Sequence, residues 1–150
     1  MRTSLLVAAL TVVASTAAAD DRTFHRNEKL PETFPFSAAV VVGNTIYLSG
    51  ELGVDYETFT LVEGGVGAET KQIFENYAAT LGALGASLSD IVKCTVFLGD
   101  MSDYAAMNAA YAEALPDPKP ARSTFGVNGL ALGAALEIEC LAIKGTKDET

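Results

Sequence analysis

A single histidine, two cysteines, no tryptophan and 10 Lys+Arg against 19 Asp+Glu leave this 150-residue chain short of several kinds of chemistry. The only imidazole, His25, lies in a polar segment outside the expected core, which sets aside Ser-His-Asp hydrolysis and histidine-based metal binding. Cys94 and Cys140 form no close pair in sequence, so neither a zinc ribbon nor a redox motif is available. They are either bridged or free buried thiols on adjacent strands; the restrictive geometry of a cross-strand bridge favours the free reading. A formal charge of −9 argues against nucleic acid as a partner, because such binding rests on clustered cations releasing counterions. The cluster Gly64-Gly65-Val66-Gly67 opens a helix but lacks the third glycine of a dinucleotide fingerprint and any following Lys-Ser/Thr, and reads as a turn.

What is present is an ordinary globular composition, 49% apolar and 19% charged, enough for one domain. The first 19 residues combine Arg2, an apolar stretch from Leu5 to Ala14 too short to span a bilayer, and the small residues Ala17-Ala18-Ala19 before Asp20. This is the pattern of a cleaved secretory leader, which places the mature chain in a bacterial periplasm or a secreted fraction with no membrane association. Residues 20–34 are polar and aperiodic and read as an arm, residues 35–145 as the folded domain, and 146–150 as a polar tail.

Within the domain, Ser37 to Val42 and Thr45 to Ser49 flank Gly43-Asn44 as a hairpin whose turn residues take positive φ. A short strand is expected around Thr60-Leu61-Val62. From Ala68 to Leu84 the residues Ile73, Tyr77, Leu81 and Leu84 recur at helical spacing, with Gly85 where a helix commonly ends. Asp90 to Leu98 reads as a strand. Ser102 caps a second helix marked by Tyr104, Met107, Tyr111 and Leu115 and stopped by Pro116. After the stiff Asp117-Pro118-Lys119-Pro120 connector come strands over Arg122 to Val127 and Ala135 to Ile143.

This order predicts an α+β fold, a mixed sheet of five or six strands with two helices on one face. On the last strand Leu136, Ile138, Cys140 and Ala142 alternate with Glu137, Glu139, Leu141 and Ile143, so both faces carry apolar residues. A half-apolar face left open by the helices predicts a homo-oligomer.

The chemistry concentrates between Pro118 and Glu139. Arg122 starts a strand directly after the rigid connector, a placement that can aim a guanidinium at a planar carboxylate. Fifteen residues later Glu137 offers an acid or base. Spacing alone leaves two readings, a metal-free hydrolytic site and a structural Arg–Glu pair.

Several motifs together resemble one family: Pro35-Phe36-Ser37, Tyr47-Leu48-Ser49-Gly50, Val92 to Leu98 with Asp100-Met101, Met107-Asn108 with Tyr111, Pro120-Ala121-Arg122-Ser123, and Glu137-Ile138-Glu139. The chain resembles the Rid proteins, the reactive intermediate deaminases also called the YjgF or L-PSP endoribonuclease family. The resemblance implies a chorismate-mutase-like subunit, a homotrimer with ligand clefts at the subunit boundaries, and hydrolysis of small 2-imino acids to 2-keto acids and ammonia without a cofactor or metal. It further implies that Arg122 grips the substrate carboxylate, that Glu137 orients or activates water, and that Phe36, Ser49, Asn108 and Thr124 line the substrate pocket.

The chain departs from the family in carrying Phe36 for a common tyrosine, Glu51 for a glutamine after Ser49-Gly50, Thr124 for a cysteine, and a leader. A hydroxyl is lost and a charge gained. The competing functions are an imine hydrolase, a ribonuclease, and a non-catalytic metabolite-binding or chaperone-like trimer.

Overall fold

Eleven elements follow one another along the described residues 21–145 of the structure, a computed structural model. They are β1 (Arg22–His25), β2 (Ala39–Val42), β3 (Thr45–Leu48), β4 (Glu51–Leu52), β5 (Val54–Asp55), β6 (Thr60–Leu61), α1 (Gly65–Ala83), β7 (Ile91–Leu98), α2 (Tyr104–Ala114), β8 (Ala121–Gly126) and β9 (Leu136–Ile143). The expected leader and polar tail lie outside the described residues.

The fold is α+β, as the sequence predicts, with a seven-stranded mixed sheet. Its order is β1-β2-β3-β9-β7-β8, with β4 also paired to β9; β7 and β8 run parallel and the other pairs antiparallel. The sheet is larger than expected for two reasons. Arg22–His25, read as an arm, adds an edge strand whose residues are largely exposed, so it carries no alternation for sequence reasoning to find. β4 is only two residues long, below the length at which periodicity is visible. The hairpin between β2 and β3 is as expected, except that Gly43 alone takes positive φ, at 59°.

α1 packs Ile73, Phe74, Tyr77 and Leu81 onto the sheet, all essentially buried, and α2 adds Met107 and Tyr111. Burying each such side chain contributes about 1.5–3 kcal/mol, so packing rather than propensity holds these helices. α1 ends in a Schellman arrangement around Gly85 (φ 70°), where the Ala86 N–H donates to Leu81 O at 2.8 Å and the Gly85 N–H to Gly82 O at 3.1 Å. The residue that caps the turn before α2 is Asp100, not Ser102: its carboxylate accepts the Ser102 N–H at 2.8 Å, which also lowers the Asp100 pKa.

Cys94 and Cys140 form a disulfide, correcting the expectation of free thiols. The register explains it: the two residues stand directly opposite on antiparallel β7 and β9 with Cα atoms 4.1 Å apart, the narrow kind of cross-strand pair. Sequence could place both on strands but not in register.

Both helices cover the face that carries Cys94, Val96, Leu136, Ile138 and Ala142. The opposite face stays open. It bears Lys93, Thr95, Phe97, Glu137, Glu139 and Leu141, and continues onto Tyr47 and Phe125 through their pairings with Leu141 and Phe97.

Candidate active site

Arg122 stands at the start of β8, paired with Cys94 and therefore on the helix-covered side of the sheet. Its placement begins in the connector: the Lys119 ammonium donates to Ala112 O at 2.7 Å and to Leu115 O, tying the loop to the free carbonyls at the end of α2. The guanidinium Nη2 then donates to Asn108 Oδ1 at 2.6 Å and to the Tyr104 hydroxyl at 3.4 Å, while Nη1 meets Met107 Sδ at 3.8 Å. Its carbon lies 4.6 Å from the Tyr111 ring centroid and 5.8 Å from that of Tyr104. Helical spacing gathers Tyr104, Met107, Asn108 and Tyr111 on one side of α2, so the helix presents a ready-made seat for a single cation. Arg122, Asn108, Tyr111, Lys119 and Pro120 line an open cavity of about 450 Å³. Arg122 has N–H donors left for a carboxylate placed there.

Thr124 shares this side of β8, and its hydroxyl is buried without a partner, as is that of Tyr111. Burial raises the Tyr111 pKa, with the Arg122 charge opposing.

Glu137 is elsewhere. It lies on β9, paired with Phe97 and with Leu52 of β4, on the open face. Its carboxylate rests on Gly50: a Cβ there would fall 2.0 Å from Oε1 of Glu137, so only glycine leaves this room. Ser49, next to Gly50, donates its hydroxyl to Ser37 O at 2.6 Å, and Phe36 precedes that residue, half exposed, with its ring tilted 40° to that of Phe34 at a centroid distance of 5.5 Å. The buried Tyr77 hydroxyl donates into the space between Ile138 O (2.5 Å) and Ser49 O (2.9 Å), pinning the Ser49–Gly50 backbone to β9. Burial first, and then the charge of Glu139, raise the Glu137 pKa from its ordinary value.

The structure thus divides the expected residues into two groups, Arg122 with Asn108 and Thr124 on one side of the sheet, Glu137 with Ser49 and the Phe36 segment on the other. A structural Arg122–Glu137 pair within the chain is excluded by these opposite directions. Tyr104, Met107, Gly50 and Tyr77 have site-building contacts that sequence reasoning did not assign; the signal for the first two was their spacing from Asn108 on α2. Among the described residues no three His, Cys, Asp or Glu side chains converge as metal ligands.

The model of a family described as "Endoribonuclease L-PSP" matches residues 27–144. The chain belongs to this family, the Rid family. It is 42% identical over 118 residues to a RutC family protein of Pyrococcus abyssi, covering 78% of this chain and 93% of that one. It is also 42% identical over 109 residues to a 2-iminobutanoate/2-iminopropanoate deaminase of Dermatophagoides farinae, covering 73% of this chain and 85% of the relative. The solved structure of RidA from an Antarctic Psychrobacter superposes with a TM-score of 0.75 at 41% identity, over 81% of this Rid chain and 99% of the other.

Proposed function

We propose that this Rid protein is a hydrolytic deaminase that converts 2-imino acids of the iminobutanoate and iminopropanoate type to 2-keto acids and ammonia, without a cofactor. The observation that carries this reading is the Arg122 guanidinium, oriented by Asn108 and facing an open cavity with donors to spare. A small planar carboxylate is the ligand such a fork fits best. The deaminase name of a relative 42% identical to this chain supports the same substrate class.

The second group supplies the chemistry. With the substrate carboxylate on Arg122, Glu137 takes a proton from the attacking water as its oxygen bonds to the imine carbon. The imine nitrogen takes up the electron pair and a proton, and collapse of the adduct releases ammonia and leaves the keto group. A carboxylate held above its ordinary pKa by burial and by Glu139 is a stronger base than a free one, the direction this role needs.

Because Arg122 and Glu137 point away from each other in one subunit, the reaction needs them from two. A homotrimer with sites at its subunit boundaries brings the open face of one copy to the Arg122 edge of the next. The open face supports this: Tyr47 (49% exposed), Phe125 (55%) and Ile143 (43%) remain uncovered by their own chain. Export is the reading we favour for location, on the leader pattern of residues 1–19 and on the Cys94–Cys140 disulfide, which suits an oxidising compartment. The ribonuclease reading has the family's description behind it, but a chain with nine excess negative charges is poorly suited to RNA.

The test is a coupled assay in which an amino-acid oxidase generates 2-iminobutanoate or 2-iminopropanoate and its decay is followed with and without the protein. Decay should accelerate with wild type. Arg122→Ala should lose both binding and turnover, a contact of roughly 1.5–3 kcal/mol, and Arg122→Lys should recover little of it. Unaccelerated decay with wild type, or full activity in Arg122→Ala, contradicts the proposal.

A further inference from the structure

Glu51 is a carboxylate that the proposed reaction does not use, yet it follows directly on Gly50, the residue against which the Glu137 carboxylate lies. The pairing of β4 with β9 sets Leu52 opposite Glu137 and Glu51 opposite Ile138, so the two acids stand on either side of one short ladder. Glu51 turns toward the helices. Its Oε1 accepts the Tyr56 hydroxyl at 2.6 Å and Asn76 Nδ2 at 3.3 Å, and Asn76 is itself fixed by Gln72 Nε2 (2.9 Å) and by its own bond to Val54 O (2.9 Å).

We propose that Glu51 is a positioning residue of the Glu137 half-site, a second carboxylate held behind Gly50 whose charge sets how readily Glu137 accepts a proton. This rests on the reading of Glu137 as the base in imine hydrolysis. The groups around Glu51 leave its charge uncompensated at close range. From the segment after β5 comes Tyr56, and from α1 come Asn76, Tyr77 and, beside Gly53, Glu69, whose carboxylate accepts the Ala135 N–H. From β9 come Glu137 and Glu139. None of these is a cation. Arg26 and Lys29 line the same cavity of about 430 Å³ as Tyr56 and Asn76, but Arg26 donates to Glu32 O and Phe34 O and Lys29 pairs with Glu57.

Burial outweighs the hydrogen bonds from Tyr56, Asn76 and the Leu52 backbone, and the Glu137 charge adds to it, so that Glu51 is raised to about 7. Below that pH it is neutral. Above it, a second negative charge stands across the short β4–β9 ladder from Glu137, and taking the proton from water then relieves the repulsion between the two. Turnover therefore rises as Glu51 ionises.

The experiment is a carbon-13 NMR titration of glutamate side-chain carboxyls in the apo protein, wild type and Glu51→Gln, beside pH profiles of imine turnover for both. Glutamine retains the shape and an acceptor for Tyr56. In wild type the Glu137 signal should show a second inflection near pH 7, matched by a rise in turnover, and Glu51→Gln should lose both. Identical single-step Glu137 titrations in the two proteins overturn the inference, as do superimposable turnover profiles, and either result leaves the hydrolase reading intact. A lost second inflection in a protein with no imine hydrolysis supports the coupling and removes the hydrolase reading instead. Should Glu51→Gln fail to fold, Tyr56→Phe removes a hydroxyl that stabilises the ionised form; the second inflection then moves upward, and an unmoved one overturns the inference.

Discussion

Arg122 and Glu137 point to opposite faces of the same sheet: Arg122 pairs with Cys94 on the helix-covered side and Glu137 with Phe97 on the open side. Each is fixed by its own surroundings, the arginine by Asn108 at 2.6 Å and the glutamate by the bare Cα of Gly50. One subunit therefore holds the two groups apart, which is why we propose that the site is completed between copies.

Gly50→Ala tests the Glu137 half alone. The added methyl would collide with a carboxylate at the end of a flexible side chain rather than with backbone, so the protein should fold and the carboxylate should move. Turnover should fall by roughly 10²-fold, as for Glu137→Gln, with the melting temperature nearly unchanged. Kinetics and thermal unfolding of both variants measure this. By contrast Gly53→Ala would drive its methyl to 2.5 Å from the Glu69 Cα and should destabilise the fold itself.

The disulfide closes a loop of 46 residues between two core strands. Replacing both cysteines by alanine should cost about 2–4 kcal/mol of stability. Denaturant unfolding of the oxidised wild type, the reduced wild type and the double variant should place the last two together, well below the first.

Stability should also depend on pH through Glu51. Its pKa rises from 4.5 to about 7 on folding, so the native state holds the proton over this interval while the unfolded state has released it. Stability from this group is complete below pH 4.5 and falls as pH rises through 7, by about 3 kcal/mol in all. Urea midpoints of wild type should decline between pH 5 and 8 relative to those of Glu51→Gln, which has no such group to ionise.

How much of this was legible in the sequence depended on the length and exposure of each element. The long periodic segments were: Ile73, Tyr77 and Leu81 mark the buried side of α1, and the alternation from Leu136 to Ile143 names the covered and open faces of β9. The edge strand Arg22–His25 and the two-residue β4 were not, since neither carries a pattern. Register was also beyond reach, and with it the Cys94–Cys140 bridge, a property of pairing rather than of composition. The candidate site residues were chosen by motif, but their division between two faces needed the strand pairings. Glu51 stood out in sequence only as a gained charge; of its partners, Tyr56 lies in the next turn of the chain and only Asn76 comes from a distant segment, α1, that the fold brings to it.

Mixing two inactive proteins shows whether one active site draws Arg122 from one subunit and Glu137 from another. Arg122→Ala and Glu137→Gln subunits, unfolded together and refolded in equal amounts, should assemble at random, and about a quarter of the boundaries then join an intact Arg122 to an intact Glu137. Imine hydrolysis should return to about that fraction of wild type, while each variant refolded alone stays inactive. No recovery in mixtures shown to contain both subunits would mean that the two residues are not shared across a boundary, and would overturn the proposed two-subunit site.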